Sequence, residues 1–189
     1  MSKNYKKKIA LKGNKNIDSI KYYNAISEGY EELHRTEQIN KLLIARELLK
    51  LKKEDSLLDV GSGIGLSSEV FDCKITLLDN SINLLKLAKK RIKNKNNINL
   101  VLSNAEKMPF KNKEFDAVIC ITAIHNFSNP DKALGEILRV TKDIEKNIVI
   151  SILKKSSKNN ELVKMIKKFF KIEKVVDEGK DLIFLLSKK

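Results

Sequence analysis

The sequence predicts an α/β fold: a doubly wound, seven-stranded and mainly parallel sheet with a C-terminal antiparallel hairpin, and helices on both faces. Three observations predict it. Short apolar runs alternate with helical patterns over residues 56–170. A glycine cluster at 61–65 directly follows the first apolar run. The last two apolar runs are separated by the short link Glu178-Gly179-Lys180, which indicates a hairpin.

The N-terminal part of the chain differs in character from the rest. Residues 1–16 contain six lysines and no acidic residue, and we expect them to form a flexible basic arm. One domain is predicted over 17–189. Its first part, 17–53, is expected to be helical. A helix begins near Asp18, and a second runs from about Gln38 to Lys50 with Leu42, Leu43 and Leu49 on its apolar face.

The rest of the domain, 54–189, is the predicted sheet core. Five apolar runs are expected to be parallel strands: Ser56–Val60, Lys74–Leu78, Ile98–Leu102, Phe115–Ile121 and Asn147–Leu153. Helices are predicted at Leu66–Phe71, from Ile82 to about Lys93, after Asn129-Pro130 and over Leu162–Phe170. Strands at Ile172–Val176 and Leu182–Leu186 complete the sheet.

Composition limits the classes of protein that the chain can be. With 189 residues, 42% hydrophobic and 33% charged, the chain is suited to one folded domain. No apolar run reaches the roughly 18 residues of a membrane span, and the N-terminus lacks the apolar core of a signal peptide. We therefore expect a cytoplasmic protein that does not contact a membrane. Cys73 and Cys120 lack metal-binding spacing, so they are expected to be free core thiols, and no metal site is predicted.

The glycine cluster is the most informative pattern for function. Residues 57–65 are predicted to be a buried strand, a tight turn and a helix start, and a doubly wound sheet binds ligands at such a place. Glycines let the backbone approach a ligand closely. Their spacing is GxGxG, not the GxGxxG of a dinucleotide site, which argues against a dehydrogenase. Asp59, just before them, would disfavour a pyrophosphate and suits a ligand with a cationic amino group.

These residues resemble the first motif of the class I, Rossmann-like S-adenosylmethionine-dependent methyltransferases, and the chain is similar to the methyltransferase type 11 group within them. Three later segments resemble that family in the same order: Ile75–Ser81, Asn104–Phe110 and Phe115–Ile119. The similarity covers about Tyr22–Lys189. It implies an S-adenosylmethionine-dependent methyltransferase whose N-terminal segment, 17–53, forms a lid over the cofactor.

The resemblance also implies a set of cofactor-binding residues. The acid Asp79, at the end of the second strand, would bind the ribose hydroxyls. Asn104 stands where the family usually has an aspartate, so that an amide would face the adenine region. Tyr30 would meet the methionine end of the cofactor. The other expected contacts are Asp59, Gly61, Ser62, Gly63, Asn80, Ala105, Glu106 and Thr122.

The sequence identifies no catalytic residue firmly. His125 follows the fourth predicted strand, in a loop that borders the methyl-transfer site in the resembling family. It is a candidate base or substrate contact; the alternative is a structural histidine that is hydrogen-bonded to the backbone. The chain lacks the Asn-Pro-Pro-Tyr segment of many adenine amino methyltransferases.

The sequence does not identify the molecule that would accept the methyl group. The net charge of +14 is concentrated in three lysine-rich segments, 1–16, 86–95 and 154–171. Such clusters can attract phosphates, so RNA or a ribonucleoprotein is the first hypothesis. A small-molecule acceptor is the second, because a compositional bias towards lysine would give the same charge without any function. A third is a non-catalytic, cofactor-binding subunit of a larger complex. A fold so near the minimum also suits a protein partner subunit.

Overall fold

The computed structural model of the protein describes residues 35–93 and 95–189. The basic arm predicted over 1–16, the helix predicted near Asp18, and Tyr30 lie outside these residues. The described chain begins with helix α1, over residues 35–49.

Seven strands form one sheet in the order β3-β2-β1-β4-β5-β7-β6. The strands are β1 (Ser56–Val60), β2 (Lys74–Asp79), β3 (Ile98–Leu102), β4 (Ala117–Cys120), β5 (Ile148–Leu153), β6 (Phe170–Asp177) and β7 (Asp181–Lys188). Strands β1 to β5 are parallel, whereas β7 is antiparallel to both β5 and β6. The predicted fold class is therefore confirmed.

Helices connect the parallel strands. They are α2 (Ser67–Val70), α3 (Ile82–Arg91), α4 (Pro130–Val140) and α5 (Asn159–Phe169), with a short 3-10 helix at Ile124–Asn126. Two helix starts follow local rules. The Ser81 side chain accepts a hydrogen bond from Leu84 N, and the Asn129 side chain accepts one from Lys132 N just before Pro130. None of the helices among the described residues is both long and apolar enough to span a membrane.

A hydrophobic core lies on each face of the sheet. Because side chains alternate along a strand, Leu57 packs with α1 and α3 on one face, while Leu58 packs with α4 and α5 on the other. Cys73 and Cys120 are buried free thiols, as predicted. The sheet is thus covered on both sides, and its strand ends are left to form a site.

Strand β4 and helix α1 differ from the sequence prediction in ways that bear on the site. Strand β4 begins at Ala117 rather than Phe115. Phe115 makes only an isolated bridge to Thr141, because its amide donates to Val140 O and its carbonyl accepts from Lys142 N. In α1, Leu43 is exposed, and the buried face includes Lys41. The prediction that Leu43 lies on the buried face of α1 was wrong. Lys41 is part of that buried face instead, because its ammonium pairs with the buried carboxylate of Asp181.

Candidate functional site

A cleft lies at the carboxyl ends of β1, β2 and β4, where the strand order reverses between β1 and β4. This position is the usual ligand site of a doubly wound sheet. The first compartment of the cleft has about 630 Å³ of open space, and its walls are the glycine turn, the end of β2 and the loops after β3 and β4.

A second compartment, of about 380 Å³, lies on the other side of the glycine turn. The two compartments share Gly61, Gly63 and Ile121. Helix α1 contributes Gln38 and Leu42 to the second compartment. The glycine turn therefore forms a wall that the two compartments share.

The sequence-predicted residues are distributed between the two compartments. The first is lined by Gly61, Gly63, Asp79, Asn80, Asn104, Ala105, Glu106 and Thr122, and the second by Asp59, Gly61, Ser62 and Gly63. Tyr30 lies outside the described residues, and the imidazole of His125 is not among the lining groups. The fold thus brings together residues that are up to 63 positions apart in the sequence, from Asp59 to Thr122.

The glycine turn has a backbone that favours glycine. Gly61 has φ of 73° and Gly63 has φ of 56°. The amides of Gly61 and Ser62 both donate to Leu78 O, at 2.8 and 3.0 Å, which fastens the turn over the end of β2. A Cβ on Gly61 would lie only 2.6 Å from Ala123 Cβ. Close packing against the loop after β4 therefore excludes a side chain at position 61.

Asp79 connects the turn to the end of β2. Its Oδ2 accepts a hydrogen bond from Gly63 N at 2.8 Å, and its Oδ1 accepts one from Ser81 N at 2.8 Å. Burial raises the pKa of this carboxyl, and the backbone donors partly offset the increase. Each carboxylate oxygen keeps further lone-pair capacity, so that Asp79 can accept hydrogen bonds from a ligand's hydroxyl groups.

Asp59 is buried in the second compartment. It is 5% exposed, and Ser67 Oγ donates to its Oδ2 at 2.6 Å. Burial raises its pKa to about 7; the Ser67 hydrogen bond opposes this rise, and the nearby charge of Asp79 adds to it. A carboxyl in such a place is stabilised in its ionised form by a cationic ligand group.

The loop after β3 is organised by side chains that also line the cleft. Asn104 Oδ1 accepts from Glu106 N at 2.9 Å, and Glu106 Oε1 accepts from Asn129 N at 2.8 Å. Farther along, Arg139 donates to the backbone carbonyls of Phe110, at 2.7 Å, and of Met108, at 3.1 Å. The loop is therefore fastened to α4 at both ends.

Thr122 follows β4 and lines the cleft in an unusual backbone conformation. Its φ is 53°, which is rare for a β-branched residue. Its hydroxyl donates to Asp181 Oδ2 at 2.8 Å, and its amide donates to Ser151 Oγ at 2.7 Å. The Thr122 hydroxyl is thus already hydrogen-bonded to the start of β7, and its amide to β5.

His125 lies in the short 3-10 helix beyond Thr122. Its backbone carbonyl accepts from Lys158 Nζ at 2.6 Å, and its buried Nδ1 has no hydrogen-bond partner among the described residues. Burial lowers the pKa of the imidazole; the charge of Asp181 opposes the effect, and Lys158 and Lys41 add to it. A neutral imidazole can accept a proton, but a role for His125 as a base stays a prediction.

Sequence reasoning missed a buried polar cluster beside the cleft. Lys41 Nζ lies 2.9 Å from Asp181 Oδ1 and 3.2 Å from Thr122 Oγ1, and the side chains of Lys41 and Asp181 are both fully buried. The sequence carries no local signal for this cluster, because Lys41 and Asp181 are 140 positions apart and no motif joins them.

Comparison with known sequences places the chain among methyltransferases. A family model described as a methyltransferase domain matches residues 58–144. An uncharacterized protein of Methanocaldococcus jannaschii is 35% identical over 65% of this chain and 47% of its own length. The demethylmenaquinone methyltransferase of Renibacterium salmoninarum is 38% identical over 49% of this chain and 39% of its own length. The chain thus spans less than half of either of these relatives.

A second uncharacterized protein of Methanocaldococcus jannaschii matches over a larger share of both chains. It is 30% identical over 78% of this chain and 72% of its own length.

Solved structures share the fold. A S-adenosylmethionine-dependent methyltransferase of Aquifex aeolicus aligns with a TM-score of 0.70 and 20% identity over 87% of this chain and 97% of that chain. A chain in the complex of the Haloferax volcanii Trm112 methyltransferase activator with a proposed methyltransferase aligns with a TM-score of 0.74 and 12% identity, over 88% and 97%.

Proposed function

The chain belongs to the class I S-adenosylmethionine-dependent methyltransferase family, and on that premise we propose that it transfers a methyl group from S-adenosylmethionine to an acceptor. The observation that supports this most is the pair of buried acids, Asp59 and Asp79, on opposite sides of one glycine turn. A ligand that carries an ammonium group and, farther along, a ribose diol suits that pair.

The donor groups of the cleft fit this cofactor. Asp59 would hold the amino group in the second compartment, where Ser67 fixes its carboxylate. Asp79 would accept hydrogen bonds from the ribose hydroxyls, and Asn104 and Ala105 would lie beside the adenine. When bound, S-adenosylmethionine supplies an activated methyl group on a good leaving group, so the residues of the chain mainly bind, orient and exclude water.

Two classes of acceptor each have one observation in their favour. Exposed lysines on α3 and α5 support RNA. The printed name of a relative, demethylmenaquinone methyltransferase, supports a small molecule instead. The core contacts of α3 and α5 lie on opposite faces of the sheet, so their lysines do not form one continuous patch. A protein partner is a further proposal, supported by the complex of one structural neighbour with an activator.

The test is methyl transfer from S-adenosylmethionine that carries a labelled methyl group. The full chain is incubated with total RNA, with a small-molecule extract and with total protein, each from cells that lack the chain. Label in one fraction, absent with Asp79→Ala, supports the proposal and identifies the acceptor class. Failure to bind the cofactor would refute the proposal. Binding without transfer to any fraction would favour the non-catalytic subunit.

A further inference from the structure

We propose that Lys41 and Asp181 are positioning residues, which hold the Thr122 turn and helix α1 in place on either side of the cleft. The inference rests on the proposed function for its binding assay only. It concerns the Lys41 network, defined as Lys41, Glu37, Thr122, Ser151 and Asp181. Thr122 and α1 both line the cleft, but Lys41 and Asp181 themselves do not.

The hydrogen bonds of the Lys41 network are complete. The Lys41 ammonium has three acceptors: Glu37 Oε1 at 2.6 Å, Asp181 Oδ1 at 2.9 Å and Thr122 Oγ1 at 3.2 Å. Asp181 Oδ2 accepts from the hydroxyls of Thr122 and Ser151, each at 2.8 Å. Every proton of the ammonium therefore has a partner, and both oxygens of the Asp181 carboxylate are used.

The network joins elements that are distant in the sequence. Lys41 is in α1, Thr122 follows β4, Ser151 is in β5 and Asp181 begins β7. Exchange of a buried ion pair for apolar side chains of similar size is often neutral or stabilising. Stability alone therefore does not account for two fully buried charges. The backbone geometry that they impose on their neighbours gives them a role.

That geometry is the strained turn at Thr122. A β-branched residue with a φ of 53° persists only where its surroundings hold it. Here Ser151 holds the amide of Thr122, and Asp181 and Lys41 hold its hydroxyl. Without these contacts, the turn can relax to an ordinary backbone conformation.

The strained turn is coupled directly to the glycine turn. The residue after Thr122 is Ala123, whose Cβ lies 2.6 Å from the position that a Gly61 Cβ would take. A shift of the Thr122 turn therefore moves one wall of both compartments. On the opposite side, Lys41 lies between Gln38 and Leu42, which line the second compartment. Release of Lys41 would free that part of α1 as well.

The decisive variant is the double replacement Lys41→Met with Asp181→Leu. Lys41→Met alone leaves a buried, uncompensated carboxylate and can unfold the chain, whereas the double variant removes both charges. We expect its melting temperature to stay close to that of the wild type. We expect its affinity for S-adenosylhomocysteine to fall by about tenfold or more. Lys154→Met is the matched control, because Lys154 pairs with the exposed Asp177 at the same end of the sheet and has no other ion-pair partner among the described residues.

Hydrogen exchange gives a readout that does not depend on the cofactor. In the double variant, the amide of Thr122 should exchange at least about tenfold faster, while amides of β1 and β2 stay protected. A double variant that folds, keeps wild-type affinity and keeps the Thr122 amide protected would overturn the inference. If the wild type fails to bind S-adenosylhomocysteine, the proposed function fails, and hydrogen exchange alone decides the positioning role.

Discussion

Asp59 is the residue whose ionisation should be coupled to cofactor binding. Its carboxyl is buried and has a pKa of about 7 in the protein without a ligand, because burial disfavours the charged form. An ammonium group in the second compartment would favour the ionised form and lower that pKa. Binding should therefore release a proton whenever Asp59 is protonated beforehand.

The first prediction follows from the sign of that shift. Affinity for S-adenosylhomocysteine should rise as the pH increases from about 6 to about 8, and Asp59→Asn should bind more weakly with a flatter pH profile. Calorimetry in buffers of different ionisation enthalpy measures the proton release directly. Asp177→Asn, at an exposed carboxyl outside the cleft, is the control. Equal proton release by the wild type and Asp59→Asn would refute the assignment.

Stability should depend on Asp59 in the opposite direction. A group whose pKa is raised by folding contributes stability that is complete below its unfolded pKa of 3.8 and is lost as the pH rises through about 7. The protein without ligand should therefore lose stability as the pH rises from about 4 to about 7. Asp59→Asn should reduce that loss.

The second prediction concerns Gly61. Gly61→Ala would place a Cβ 2.6 Å from Ala123 Cβ at a φ of 73°. Strain of this kind costs about 1–3 kcal/mol, so unfolding by denaturant should reveal a loss of stability together with a loss of cofactor affinity. The control is Gly179→Ala, where φ is 107° but no atom lies within 4 Å of the added Cβ.

The two glycine variants separate backbone strain from a steric clash. Gly179→Ala should lose some stability and keep full cofactor affinity, because Gly179 is in the hairpin link away from the cleft. The added change Ala123→Gly should restore part of the affinity of Gly61→Ala, since it removes the clashing atom. Wild-type binding by Gly61→Ala alone would show that this turn does not contact the cofactor.

The second half of the loop between β3 and β4 is held mainly by Arg139 and its partner Glu136. Arg139 forms a two-point pair with Glu136, at 2.7 and 2.8 Å, and also donates to two carbonyls of the loop. Glu136 in turn accepts from Met108 N at 2.6 Å. The Arg139–Glu136 pair thus fastens the part of the loop around residues 108–110 to α4.

The third prediction is that Arg139→Lys is not a conservative change. An ammonium cannot reproduce the planar set of donors, so the Met108 amide should exchange faster and stability should fall by about 1–3 kcal/mol. Affinity for the adenosine part of the cofactor should decrease several-fold. Arg46→Lys, at an exposed position of α1, should change neither quantity. Unaltered exchange at Met108 would mean that the loop holds its shape without Arg139.

Most elements could be predicted from the sequence because their determinants are local. Strands β1 and β3 have the predicted bounds, and Ser81 and Asn129 cap the helices that follow them. The start of α5 was placed three residues late, at Leu162 instead of Asn159, because its first turn has no apolar residue. The residues expected to bind the cofactor followed from motifs at strand ends, which a parallel sheet brings to one edge.

The Lys41 network could not be predicted in the same way. Lys41 and Asp181 are 140 positions apart, and neither belongs to a local motif. Lysine side chains are usually exposed to solvent, so the sequence alone predicts an exposed Lys41. Only the tertiary fold, which brings α1 against the start of β7, explains why Lys41 is buried and Leu43 is not.

At the scale of the whole molecule, the distribution of lysines limits how a nucleic acid could bind. The exposed lysines of α3 (Lys86, Lys89, Lys90) and of α5 (Lys164, Lys167, Lys168) belong to helices on opposite faces of the sheet. A short single strand would therefore meet one set or the other. The third lysine-rich segment, 1–16, lies outside the described residues.

The fourth prediction tests this surface. If RNA is the acceptor, four phosphate contacts would give a slope of log affinity against log salt of about −2.8. Glutamine at the three lysines of one helix should flatten that slope, and the same change in the other helix should not. Deletion of residues 1–16 measures the contribution of the basic arm. Affinity no better than about millimolar at low salt, in all forms, would favour the small-molecule acceptor.

We propose that this cleft binds S-adenosylmethionine with Asp79 on its ribose. The most direct measurement is calorimetry of S-adenosylhomocysteine with the wild type, Asp79→Ala and the exposed control Asp131→Ala. Asp79→Ala loses two hydrogen bonds to a charged group, each worth about 1.5–3 kcal/mol, so affinity should fall by about a hundredfold or more while Asp131→Ala binds normally. NAD should not bind to any of the three. Failure of the wild type to bind, or equal affinity of the wild type and a folded Asp79→Ala, would contradict the claim.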